Sequence, residues 1–136
     1  MSNVRASIGV SALIGLTLSA LLMLMSTAPA QAQTLVECQA EIAALKGQTA
    51  NATFNGQNAA KDEASLIGKL DSASVKLERG KYDDALTNLQ SFRAKVNTLD
   101  QQGKIVDKDA LELKNGADKA IACVQGLIDA QATSAA

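Results

Sequence analysis

Between Thr34 and about Ala130, outside residues 48–57, apolar residues return every three or four positions, the spacing that lines one face of an α-helix. Leu35, Cys38, Ile42 and Leu45 mark a short first helix from Thr34 to Lys46, which Gly47 is expected to stop. Residues 48–57 are polar and aperiodic and read as a loop, with Phe54 folding back onto the bundle. A second helix is predicted from about Asn58, a good N-cap, to Arg79. Asp62 and Glu63 lie near its positive end, and its stripe is Leu66, Leu70, Ala73 and Leu77, widened by Ile67. Gly80 follows as a residue able to take positive φ.

The third helix, Tyr82 to Gln101, carries Ala85, Leu89, Phe92, Val96 and Leu99, with Leu86 alongside and Asp83 and Asp84 in its first turn. Gly103 ends it, and Ile105 is placed for a hydrophobic contact back onto the helix end. A fourth helix should start at Asp107 as N-cap and run to about Ala130. Its stripe is Ala110, Leu113, Ala117, Ala120, Val124 and Leu127, flanked by Ile121 and Ile128, with Cys123 beside it. Gly116 and Gly126 are helix-interior glycines that mark close helix approach. The tail 131–136 has nothing to bury and is expected to fray. No segment alternates as a strand does, and the short connections at Gly80 and Gly103 make neighbouring helices antiparallel. The expected fold is all-α: an up-and-down bundle of about four helices, the first one short, in a single domain over 33–130.

Residues 1–32 follow a different pattern. Arg5 precedes an apolar run from Ala6 to about Met25, and Ala30-Gln31-Ala32 supplies a small-x-small cleavage site. This is the layout of a secretory signal peptide cut between Ala32 and Gln33. The alternative is an uncleaved anchor, because the run is near the roughly 20 residues needed to cross a bilayer. Gly9, Ser11, Gly15 and Ser19 interrupt it, however. Leu35-Val36-Glu37 before Cys38 does not form a lipobox. Export to the periplasm or the medium is the expectation, with no membrane span after cleavage.

Export decides how the two cysteines are read. Cys38 and Cys123 are the only pair, and in an oxidising compartment such a pair in a small domain reads as a disulfide. Closing a loop that long contributes about 4–5 kcal/mol in the chain-entropy model. Two buried thiols are the alternative, or a metal pair, for which no third soft ligand exists.

Charge and composition then remove function classes. Without Arg5 the chain has 12 basic and 14 acidic residues, interspersed, and its aromatics are Phe54, Tyr82 and Phe92. That is neither the basic footprint nor the stacking surface of a nucleic-acid binder. Histidine is absent, so Ser/His/Asp and Cys/His catalysis are excluded with it. Asp83-Asp84 and Asp107/Asp109 read as helix-start residues rather than a catalytic pair. Asp107-Lys108-Asp109 runs into Ala110 and Leu111 instead of a calcium loop, and Gly80 and Gly103 stand alone rather than in a phosphate loop. Tyr82 reads as packing at a helix junction, with a ligand contact as the alternative. Lys76/Arg79 and Lys114/Asp118 read as solvated surface. No catalytic residue, cofactor or metal site is expected.

The stretch from about Ala64 to Leu127 resembles a known family. Leu66-Ile67-Gly68-Lys69-Leu70-Asp71-Ser72-Ala73, Leu77-Glu78-Arg79-Gly80-Lys81 and Asp84-Ala85 look like the first hairpin of the FIMAH-type helical module. Leu89-Gln90-Ser91-Phe92, Val96, Leu99, Gly103-Lys104-Ile105 and Asp109-Ala110-Leu111 are similar to the rest. The module is usually appended to secreted bacterial hydrolases and surface proteins. The resemblance implies an extracytoplasmic bacterial accessory or interaction module, with no catalytic residues to carry over; the sequon Asn51-Ala52-Thr53 is then coincidental. Gly80-Lys81-Tyr82-Asp83-Asp84-Ala85-Leu86 also looks like the turn of a tetratricopeptide repeat. Such repeats return at about 34 residues and stack in threes, whereas Gly103 follows Gly80 by only 23.

These readings converge on a small non-enzymatic protein of the bacterial envelope or secreted fraction. It is expected to bind another protein or an envelope component through a helix face. The alternative is a small-ligand or lipid carrier with a cavity between helices.

Overall fold

A computed structural model describes residues 34–135. The leader, its cleavage point at Ala32 and Gln33, and the last residue lie outside the described residues. Four helices follow in order: α1 (Leu35–Asn51), α2 (Ala59–Glu78), α3 (Tyr82–Gln101) and α4 (Asp107–Ala135). Each packs on its two neighbours to close a ring, α1 on α2, α2 on α3, α3 on α4, and α4 back on α1. The pairing register makes every neighbour antiparallel. Gln39 meets Ser74 and Lys46 meets Asp71; Lys76 meets Asp84 and Asp62 meets Lys95; Arg93 meets Asp118 and Asp100 meets Lys114. This is the expected up-and-down bundle.

The apolar stripes are the core. Leu66, Leu70, Ala73 and Leu77 of α2, Ala85, Leu89, Phe92, Val96 and Leu99 of α3, and Ala110, Leu113, Ala117, Ala120, Val124 and Leu127 of α4 are all buried in one core. Cys38, Ile42 and Leu45 bring α1 into the same core. Leu35, Tyr82, Leu86, Ile121 and Ile128 lie partly buried against it. Glycine ends α2 and α3 as expected. At Gly80 (φ 73°), the Lys81 N–H donates to Lys76 O and the Gly80 N–H to Leu77 O. At Gly103 (φ 66°), the Lys104 N–H donates to Leu99 O and the Gly103 N–H to Asp100 O. Each pair of bonds satisfies carbonyls that a helix end otherwise leaves open.

Four local expectations are corrected. First, α1 runs through Gly47 to Asn51. Thr49 is buried one turn beyond Leu45, and its hydroxyl donates to Leu45 O at 2.8 Å. Burial of that turn outweighs the roughly 1 kcal/mol helix penalty of a glycine. Second, α4 starts with Asp107 as its first helical residue: Val106 O accepts from the Ala110 N–H. Third, Asn58 holds the N-cap position of α2 without a side-chain cap bond.

Fourth, the C-terminal tail is helical to Ala135. Extending a formed helix adds one hydrogen bond per residue fixed, a small step once nucleation is done. Thr133 Oγ1 also bonds Asp129 O at 2.9 Å. Asp118 is exposed surface as expected and pairs there with Arg93 of α3 at 2.6 Å, while Lys114 is half-buried in its pair with Asp100 at 2.8 Å.

The loop after α1 is tied down by a contact that no local pattern announces. Phe54 forms an isolated antiparallel bridge with Ile105. Around it the Asn55 N–H donates to Lys104 O at 2.7 Å and the Val106 N–H to Thr53 O at 3.1 Å. Phe54 is partly buried against the core, as expected, and Ile105 fully so. At the other end of α1, Thr34 and Glu37 form a reciprocal capping box, Oγ1 accepting the Glu37 N–H and Oε2 accepting the Thr34 N–H.

Candidate functional site

The seam between α1 and α4 differs from the other three. Cys38 and Cys123 are bonded across it with their Cα atoms 5.5 Å apart, and both are buried. At the opposite end, Asp109 Oδ2 accepts the Thr53 N–H at 2.8 Å. Asp109, expected as a helix-start residue, thus also reaches back 56 residues to hold the loop after α1. Midway, Leu45 lies over Gly116: a Cβ built on that glycine would stand 2.8 Å from Leu45 Cδ1 and 2.8 Å from Gln48 Oε1. The expectation of close helix approach at Gly116 is met here.

Ion pairs bridge the other seams. Lys46–Asp71 joins α1 to α2, Lys76–Asp84 and Lys95–Asp62 join α2 to α3, and Arg93–Asp118 and Lys114–Asp100 join α3 to α4. Most are half-exposed and contribute about 0–1 kcal/mol each; their consequence is to cover the seams with paired charge. The Asp62 pair is the most buried on its acidic side. Its Oδ1 is 3.2 Å from Lys95 Nζ while Oδ2 is buried without a hydrogen-bond partner. Asp62 therefore sits on the core stripe one turn before Leu66, rather than serving only the helix dipole.

Among the described residues, no ion pair crosses the α1–α4 seam. Instead a groove of about 490 Å³ runs along it, lined by Glu41, Ala44, Leu45 and Gln48 of α1 and Glu112, Asn115, Gly116 and Lys119 of α4. Its shape follows from side-chain size. Ala44 and Gly116 are small and sit mid-groove, while longer side chains stand at both ends. The register set by Cys38–Cys123 and Leu45–Gly116 places Glu41 level with Lys119 and Gln48 level with Glu112. Glu41, Glu112 and Lys119 make no ion pair among the described residues.

A second concavity of about 320 Å³ lies at the other corner of the bundle, formed by Gly80, Lys81, Tyr82, Asp83, Asp84 and Gln131. Here the structure gathers Tyr82 with Asp83 and Asp84 and adds Gln131 from the last turns of α4. Tyr82 is partly buried against the core. Asp84 is engaged by Lys76 at 3.6 Å.

No local pattern in the sequence marks the groove residues as a site. Gln48 falls in the polar stretch expected to be a loop, and charged residues at the edges of a helical stripe look like ordinary surface. The signal was nonetheless present in the cysteines. Once Cys38 and Cys123 are bonded, each turn down α1 is a turn up α4, which sets Leu45 against Gly116 and Glu41 beside Lys119. Among the described residues no group of three or more His, Cys, Asp or Glu side chains is placed to hold a metal ion. No described helix is long and apolar enough to cross a membrane. No family model, curated protein or solved structure matches the chain.

Proposed function

We propose that this chain is a small, non-enzymatic binding protein of the bacterial envelope or secreted fraction, and that it engages another protein or an envelope component through its α1–α4 face. The observation that carries the reading is that, among the described residues, no ion pair covers the α1–α4 seam. Three seams are covered by paired charge, and the fourth presents a groove whose carboxylates and ammonium are left to solvent. The buried disulfide fits an oxidising compartment, as does the leader-like pattern of residues 1–32. The resemblance to the FIMAH-type module supports both the accessory role and the bacterial setting. The centre of the bundle is filled by Phe92 and the leucine stripes, which favours surface binding over carriage of a ligand between helices.

Substitution at the groove tests this. Ala44 is exposed mid-groove, and Gln90 is exposed on α3. Ala44→Arg should abolish retention of a partner from an envelope extract of the source organism, while wild type and Gln90→Arg retain it, all three melting alike. Equal retention by both variants would remove the α1–α4 face from the account.

A further inference from the structure

Resting on the reading of the α1–α4 face as the binding surface, we infer that its occupant is an extended peptide segment of about three residues bearing a lysine or arginine side chain. Three features of the groove point there. The first is length. Glu41 to Gln48 spans about two helical turns, roughly 10 Å, which three residues of extended chain cover at about 3.3 Å each. The volume, about 490 Å³, suits such a segment and lies within the range of about 300–1,000 Å³ for ligand sites.

The second feature is the kind of polar group on the walls. Gln48 on one wall and Asn115 on the other each offer an amide N–H donor and a carbonyl acceptor. That is the pairing an extended backbone needs along its length, since every residue there exposes its own N–H and C=O. The floor between them is Ala44, Leu45 and Gly116, low and without charge, so a backbone can come close.

The third feature is charge. Glu41 and Glu112 face the groove with only Lys119 against them, which leaves one net negative charge unmatched inside it. Neither carboxylate has an intramolecular ion pair among the described residues to compete for it. A cationic side chain near Glu112, at the end away from Lys119, completes that pairing, and an acidic segment meets repulsion there. A charge-assisted bond from a guanidinium or ammonium to a carboxylate is the stronger kind of polar contact, so sequence preference should rest on Glu112.

The test is fluorescence anisotropy with the purified, oxidised chain in low salt and two labelled, end-blocked pentapeptides, Ala-Lys-Ala-Lys-Ala and Ala-Glu-Ala-Glu-Ala. The lysine peptide should bind at least tenfold more tightly than the glutamate peptide. Glu112→Gln should weaken it at least fivefold, and Gln90→Ala should leave it unchanged. Both substitutions are at exposed positions, and matching thermal midpoints confirm that the fold is intact. Equal binding of the two peptides, no binding of either, or full affinity in Glu112→Gln overturns the inference. So does spermidine competing as well as the unlabelled lysine peptide, because the groove would then recognise charge without a backbone. If Ala44→Arg still blocks partner retention while both peptides fail to bind, the face stands and only the assigned chemistry falls.

Discussion

Three glycines inside helices show how a residue's neighbours decide its worth. Gly47 in α1 and Gly68 in α2 have nothing within 4 Å of where a Cβ would stand. Alanine there should raise stability by about 0.5–1 kcal/mol each, because it restrains the unfolded chain and improves helix propensity. Gly116→Ala should gain nothing and lose stability relative to those two, since the new methyl meets Leu45 and Gln48 at 2.8 Å. Urea denaturation of the three variants checks the ordering; equal gains at all three would show that α1 and α4 are not in close contact at Gly116. Gly103 is a different case. Its φ of 66° makes Gly103→Ala destabilising by about 1–2 kcal/mol, measurable in the same series.

At the scale of the element, α1 is the shortest of the four described helices. It contributes four buried residues, Cys38, Ile42, Leu45 and Thr49, and it is held at both ends by contacts with distant parts of the chain. The Phe54–Ile105 bridge and the Asp109–Thr53 bond fasten the loop that follows it. Asp109→Ala should therefore speed amide hydrogen exchange at Thr53 and its neighbours at least tenfold while lowering global stability by only about 1 kcal/mol. Unchanged exchange at Thr53 would mean that the loop is held without Asp109.

The legibility of each element follows from how local its cause is. α3 was readable to the residue, because Ala85, Leu89, Phe92, Val96 and Leu99 form an unbroken stripe between a clear start and Gly103. The end of α1 is not legible because Gly47 carries a stop signal, and only the burial of Thr49, a tertiary fact, overrides it. The Thr34-Leu35-Val36-Glu37 capping box, by contrast, was a local signature available in the sequence. Asp62 looked like a first-turn carboxylate because its partner, Lys95, sits on another helix. The groove depends on two helices distant in sequence. Its residues become a set only when the register between α1 and α4 is known.

For the whole molecule, the disulfide closes the ring of helices across 85 residues of chain. Reduction should lower stability by about 4–5 kcal/mol in the chain-entropy model. For a domain of about 100 residues that is a fall in thermal midpoint on the order of 20 °C. Calorimetry of reduced, alkylated protein checks this, and an unchanged midpoint would remove the staple from the account of stability. The same bond fixes the α1–α4 register, so stability and the proposed binding face share one cause. The most direct test of that face is site-specific photo-cross-linking in the source organism, with a photoreactive residue at Ala44 in the groove or at Gln90 on α3. The account predicts a discrete protein or envelope adduct from position 44 and none from position 90. Adducts from position 90 alone, or the same adducts from both, would contradict it.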